Sequence, residues 1–174
     1  MANLETRQPS NPNFLQNVNF DFFLQRAPNL NWFTQKANLP SVGVSTTIQS
    51  GPFAAIKRHG QKMVFSEFQL TFKVDENFEN YLELFNWMEA IGWPDDFTKY
   101  GPVANAPAGS GGGIWSDGSL LVYNSAKTVN LEFVFQNMFP ISLTDLIFDR
   151  TQDGINFVSC TATFAYHRFT IRQL

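Results

Sequence analysis

Apolar and polar residues alternate with a period of two along much of this chain. In NVNFDFFLQ, Val18, Phe20, Phe22 and Leu24 fall on one side and Asn17, Asn19 and Asp21 on the other, the pattern of a strand with one buried face. APNLN then turns the chain. NWFTQKANL, 31–39, predicts a second extended segment that Pro40 stops, and SVGVSTTIQS predicts a third. The third is rich in β-branched residues and poor in large apolar ones, as expected at a sheet edge. GPFAAIKRHGQ, 51–61, lies between Gly-Pro and His-Gly and keeps no clean period, so it predicts a projecting loop. From Met63 to Val74 the alternation returns, with Phe68, Leu70, Phe72 and Val74 opposite Glu67, Gln69, Thr71 and Lys73.

The period changes to that of a helix in DENFENYLELFNWMEAIGWP. Phe78, Tyr81, Leu82, Phe85 and Met88 fall on one stripe, with Glu79, Glu83 and Asn86 facing away. Asn77 is available as a cap, Glu79 suits the first turn, and Gly92 and Pro94 end the helix. Glycines at 101, 109, 111, 112, 113 and 118 predict a long loop between Asp95 and Ser119. GSLLVYNS reads as a short strand, and KTVNLEFVFQ alternates Val129, Leu131, Phe133 and Phe135 against Asn130, Glu132, Val134 and Gln136. FPISLTDLIFD reads as a connection. Asp153-Gly154 turns the chain into a last strand with Val158, Cys160, Ala162, Phe164 and Tyr166 on one face. The sum is about seven strands and one helix. Residues 1–13, with Pro9 and Pro12, predict an arm without regular structure, and 14–174 predict one β domain.

Composition supports one domain with a large core. The chain has 174 residues, 44% hydrophobic, including 19 Phe and 4 Trp that require burial here or against another chain. Its formal charge of −3 provides no global positive field for nucleic acid. Cys160 is the only cysteine, which excludes an internal disulfide and fits synthesis in a reducing cytoplasm. The opening residues contain neither a signal-like apolar run nor a membrane-spanning length.

Candidate chemistry is sparse, so no enzyme activity, cofactor or metal is expected. GSGGG, 109–113, has no following Gly-Lys-Ser/Thr for a phosphate loop. His59 and His167 are the only histidines. Cys160 and His167 sit seven residues apart on one predicted strand, on opposite faces and about 23 Å from each other, too far for a nucleophile and its base. Asp95 and Asp96 are neighbours, whereas glycosidase carboxylates face each other across a cavity. Trp87, Trp93, Tyr100 and Trp115 raise the alternative of a carbohydrate-binding β-sandwich, but Trp87 has apolar helix neighbours that favour burial. Lys57-Arg58-His59 is a small basic cluster suited to an acidic partner.

The order of parts resembles the tail tube proteins of contractile-tailed bacteriophages. The resemblance rests on Ala126-Lys127-Thr128-Val129, the Pro-containing turn Phe139–Leu146 and a long last strand from Ile155 to Ile171. Upstream it rests on a Phe-rich first strand, Ala37-Asn38-Leu39-Pro40 closing the second, a protruding loop and a single helix containing Phe85-Asn86-Trp87-Met88. It implies a β-sandwich or barrel-like domain with one flanking helix. It also implies six copies in a ring and rings stacked into a virion tail tube that passes genomic DNA without tight binding. The implied partners are further copies of the chain and the tail sheath, baseplate and tail terminator proteins. A baseplate tube initiator and a type VI secretion tube share the architecture and remain alternatives, and the Gly-rich 101–118 segment and the N-terminal arm lie outside the resemblance. Within 51–61, Phe53, Ile56, Lys57 and Arg58 are the candidate subunit interface, the apolar pair filling a pocket and the cations meeting carboxylates of a neighbour.

Overall fold

The computed structural model describes residues 13–92, 98–105, 113–151, 154 and 156–174. Its strands are β1 (Phe20–Leu24), β2 (Thr34–Ala37), β3 (Val42–Ser50), β4 (Ala55–Phe65), β5 (Phe68–Lys73), β6 (Ser116–Tyr123), β7 (Val129–Leu143), β8 (Ser159–Ala165) and β9 (Arg168–Gln173). Its helices are α1 (Pro28–Trp32), α2 (Glu79–Gly92) and α3 (Tyr100–Ala104). The fold is mainly β and antiparallel, as the alternation predicts. Seven strands form one continuous sheet ordered β1-β6-β7-β8-β5-β2, with β9 also paired to β7, while β3 and β4 pair only with each other.

β7 joins the two halves of this sheet. Its first part pairs with β6 and β9, and its last part pairs with β8. The bend between them falls at Asn137, which has φ 56° and donates its backbone N–H to Asp117 Oδ1 at 3.1 Å. Asparagine tolerates that left-handed conformation better than other side chains. Across from it, Gly118 leaves room where a Cβ would come within 2.7 Å of Met138 Sδ. β8 and β9 run successively alongside β7 in the opposite direction and make the same bend at Tyr166-His167. The expected single strand from Ile155 to Ile171 is therefore two strands, because both sheet halves have to be served.

The segment Phe139–Leu143, expected as a turn, is extended and completes β7. Pro140 lies opposite Phe164, and the β7–β8 register shifts between Pro140 and Ser142. A bulge at that point spares the sheet a proline in a regular ladder position.

The core is aromatic. Phe22, Leu24, Phe68, Leu70, Phe72, Phe133, Phe135, Cys160, Ala162 and Phe164 are all buried, so the period-two faces in these strands are correct. Val18 precedes β1 and is exposed. NWFTQKANL divides where a single strand was expected: Pro28–Trp32 is a turn of helix, Pro28 being favourable at its start, and only Thr34–Ala37 pairs with β5. Met63, Val64 and Phe65 belong to β4 and not to the strand that begins at Phe68. The loop expected to run to Ser119 stops earlier, since Tyr100–Ala104 is helical and Ser116 opens β6. The proposed arm lies almost entirely outside the described residues.

α2 forms where expected but presents a different face. Asn80, Leu84, Trp87 and Ala90 are buried, whereas Leu82 and Phe85 are 45% and 43% exposed. Asn80 explains the rotation, because its side chain serves backbone that no apolar residue could satisfy. Its Nδ2 donates to Lys73 O at 2.8 Å and its Oδ1 accepts from Asp75 N at 3.2 Å, tying the end of β5 to the helix. Trp87 is buried, donates its Nε1–H to Ile114 O at 2.9 Å, and lies under the Arg26 guanidinium at 5.2 Å. Arg26 in turn donates to Val103 O at 3.0 Å and to Gly113 O, so one cation holds α2, α3 and the entry to β6 together.

Leu84→Ala is expected to cost about 2–5 kcal/mol, as for other fully buried leucines. Phe85→Ala is expected to cost less than about 1.5 kcal/mol, since much of its ring is already in water. Urea unfolding of both variants checks this, and a larger loss at Phe85 would restore the original stripe.

Candidate assembly surfaces

The segment read as a projecting loop does project, but it is not a loop. Val42–Ser50 and Ala55–Phe65 form a two-stranded ribbon, and only the few residues around Pro52 and Phe53 make its turn, closed by Gly51 N–H to Ala54 O at 3.0 Å. Antiparallel pairing supplies the backbone partners that a loop of this length would lack. The pairing is interrupted once: Thr46 lies opposite His59 but Val44 lies opposite Met63, so Gly60, Gln61 and Lys62 bulge out across from Ser45. A Cβ on Gly60 would come within 2.6 Å of Ser45 O, and Lys62 N–H reaches Ser45 Oγ at 3.3 Å. Both strands are exposed on both faces, so neither face selects apolar residues and no clean period appears in the sequence.

The root of the ribbon is fixed to the body. Phe65 meets the rings of Tyr166 and Phe169 at 6.2 and 5.5 Å. Tyr166 donates its hydroxyl to Ser66 O at 2.8 Å, Ser41 N–H donates to Ser66 Oγ at 2.8 Å, and Ser66 N–H donates to Ser41 O at 3.1 Å. Asn38 bridges the same corner, accepting from Gln69 N–H at 2.6 Å and donating to Glu67 O. Beyond these anchors nearly every ribbon side chain is exposed.

Phe53 is 100% exposed at the tip, and Ile48, Ile56, Val44, Met63 and Val64 are exposed along the strands. The register divides the candidate interface residues. Ile56 and Arg58 share one face with Gln49 and Thr47, while Lys57 lies on the other face opposite Ile48. Each face thus carries one isoleucine and one cation near the tip, and Phe53 is common to both. Between Ser41 and Ser66 the chain has Lys57, Arg58 and Lys62 and no carboxylate, so with a total of −3 the remainder carries −6. Ribbon and body are of opposite sign.

At the far end of β5 lies an open groove of about 520 Å³, lined by Phe33, Phe78 and Phe157 with Asp75 and Glu76 beside them. It continues past Phe148 into a second hollow bordered by Asp145 and Asp149. Phe148 and Phe157 are largely exposed, and Lys73 Nζ sits 4.5 Å from the centre of the Phe157 ring. Phe78 has φ 60°, an unfavourable conformation for a bulky residue, and its N–H is held by Asp75 O at 2.9 Å. Asp149 accepts from the Thr151 hydroxyl at 2.7 Å and from the Thr151 backbone N–H at 2.8 Å, which hold its carboxyl below the usual range. Sequence reasoning missed this groove because its residues come from four separated segments. It also missed Trp32, 88% exposed at the end of α1, having placed it in a strand.

Those residues considered for chemistry that the structure describes lie apart. Cys160 is buried, its thiol pushed up by that burial and paired with Thr144, while His167 is exposed at the β8–β9 bend. His59 is out on the ribbon. Among the described residues no three His, Cys, Asp or Glu side chains gather as a metal site, and no helix is long and apolar enough to cross a membrane. Tyr100 and Trp115 are a little over one third exposed. Trp93, Asp95, Asp96 and most of GSGGG lie outside the described residues; Gly113, at its end, has φ 58°.

The described residues thus combine a buried aromatic core with an exposed apolar ribbon and a separate apolar groove. Residues 3–107 match the phage tail tube protein family, and the chain belongs to that family. No curated protein matches it in sequence. Among solved structures it is similar in fold to the tube-terminating cap of the anti-feeding prophage, with TM-score 0.64, 17% identity and all of both chains covered. It is also similar to the sheath/tube terminator of the PVC extracellular contractile injection system, with TM-score 0.60, 16% identity, and 92% and 97% of the two chains covered. Hcp1 from Flavobacterium johnsoniae gives TM-score 0.52 at 12% identity, over 91% of this chain and 94% of Hcp1.

Gly60→Val is expected to open the bulge and loosen β3–β4 without touching the core. Hydrogen exchange should accelerate at ribbon amides alone, with the melting temperature of the body within about 2 °C of wild type, as for a surface change. Unchanged ribbon protection would show that the close approach to Ser45 is dispensable.

Proposed function

We propose that this protein is a structural subunit of the inner tube of a contractile phage tail, with six copies closing a ring and rings stacking into a conduit for DNA. The observation that carries the reading is the ribbon. An isolated two-stranded hairpin is marginal in water, and this one exposes Phe53, Ile48, Ile56 and Val64, which none of the described residues cover. Contacts with other copies would bury that surface and supply partners for its free strand edges. Family membership and the fold shared with tube and terminator subunits support the same reading. Its partners are then further copies of itself, with sheath, baseplate and terminator proteins at the outer wall and ends, and its place is the virion tail. It performs no catalysis.

DNA passes without being held. A chain of net charge −3, whose 12 cations are outnumbered by 15 carboxylates and spread along its length, has little with which to follow a phosphate track. At physiological salt, duplex DNA is expected to bind more weakly than about 1 μM in a fluorescence-polarisation titration, tight non-specific binding requiring several converging phosphate contacts. Submicromolar affinity with a steep salt dependence would overturn the passive conduit.

Negative-stain electron microscopy of the purified protein tests the assembly itself, the expected images being rings of six and tubes of uniform bore. Replacing residues 53–58 with a Gly/Ser linker removes the tip and the first part of β4, none of which reaches the core. That variant is expected to keep the wild-type circular dichroism and melting curve while losing or shortening its tubes. Normal tubes from it would remove the ribbon tip from the mechanism.

A further inference from the structure

The ribbon and the groove lie at opposite ends of one strand. β5 begins at Phe68, two residues after the ribbon root at Ser66, and ends at Lys73, which lines the groove. Along β8 the same two ends fall at Phe164 and Ser159. Six residues separate them by about 17–20 Å, so a neighbour lying beyond one end of the sheet meets the ribbon and a neighbour beyond the other end meets the groove.

Their chemistry is complementary. The ribbon tip offers Phe53, wholly exposed, flanked by Ile56 and Arg58 on one face and Ile48 and Lys57 on the other, with no acidic residue. The groove offers aromatic walls from Phe33, Phe78, Phe148 and Phe157, with Asp75 and Glu76 at its edge. Lys73 and Arg150 offset part of its charge, yet with Asp145 and Asp149 the carboxylates outnumber the cations four to two. An exposed aromatic anchor entering an apolar hollow, ringed by opposite charges, is the arrangement that concentrates binding energy at protein interfaces. The groove volume lies within the range of about 300–1,000 Å³ typical of binding clefts, and Phe78 is held there in a backbone conformation that costs free energy, as side chains at recognition sites commonly are.

We infer that the groove between Phe33, Phe78, Phe148 and Phe157 is the socket for the Phe53 tip of a second copy of this chain. Asp75 and Glu76 receive Arg58 and Lys57 of that copy. The assignment rests on the tube reading above and names the acceptor surface that it requires. Because tip and socket are unlike patches on one subunit, the contact is heterologous and propagates in one direction, giving a polar stack with a free ribbon at one end and an empty socket at the other. An end-capping protein for one terminus would need to mimic the tip, and one for the other the socket.

The test is site-directed cross-linking in the full chain. Phe53→Cys and Phe157→Cys are made separately, mixed, allowed to assemble and treated with a short bismaleimide, with Cys160 protected by its burial. The mixture is expected to give covalent dimers that neither variant gives alone. Asp75→Lys with Glu76→Lys is expected to weaken stacking by about tenfold or more, since like charges then face each other, and adding Lys57→Glu with Arg58→Glu is expected to restore it. Rings or tubes that form without the dimers, in a mixture whose two variants both assemble, would overturn the socket and leave the tube reading standing. A wild-type protein that stays monomeric at every concentration would overturn both. If the reversed-charge variant fails to fold, which its melting curve reports, the cross-link decides alone.

Discussion

Phe68 holds this molecule together. Its fully buried ring lies 5.0 Å from Phe22 on β1, 4.8 Å from Phe135 on β7 and 6.2 Å from Phe164 on β8, so one side chain touches strands from both halves of the sheet. Aromatic rings in tilted and stacked contact contribute beyond the area they bury. Phe68 is also the first residue of β5, three residues after β4 ends at Phe65, and the same contacts that close the core therefore help fix the point from which the ribbon leaves. Core and ribbon share an anchor.

That coupling explains how an exposed ribbon can be both projecting and directed. Hydrogen bonds of Asn38, Ser41, Ser66 and Tyr166, with Phe65 against Phe169, set its root, while the Gly60 bulge shifts its register partway out. A ribbon positioned in this way loses less conformational freedom on binding than a flexible loop would, and pre-ordering of this kind improves affinity without adding contacts. The opposite end of β5 is fixed as firmly, through Asn80 and its bonds to Lys73 and Asp75. The strand thus stands between the ribbon and the groove, anchored at both ends.

Among the described residues, the polar and aromatic groups that could suggest chemistry are engaged in closing the body. Cys160 is a core residue beside Thr144, and Trp87 and Arg26 lock α2 to the loops around β6. What remains outside the body is apolar surface and charge of two signs, which is what a repeating contact between copies uses.

The sequence by itself determined which strands have a buried face, since side chains alternate across a strand and a residue such as Phe135 can reach only one side. It also determined the position of the long helix and the length over which the order of parts resembles a tail tube subunit. It did not determine the helix face, because hydrophobicity ranks Phe85 above Asn80 and only the unsatisfied backbone at Lys73 and Asp75 makes Asn80 the inward residue. It misread the ribbon for a related reason: with both faces of β3 and β4 exposed, neither selects the apolar side that gives a strand its period, and the Gly60 bulge is visible only once Ser45 is known to lie opposite. Pro140 suggested a turn until the shifted β7–β8 register accommodated it. The groove was legible from no single segment, because Phe33, Phe78, Phe148 and Phe157 meet only when β2, β5 and β8 pair. Local alternation is a property of the chain; registers, bulges and meetings of distant residues depend on long-range pairing, which the tertiary structure alone decides.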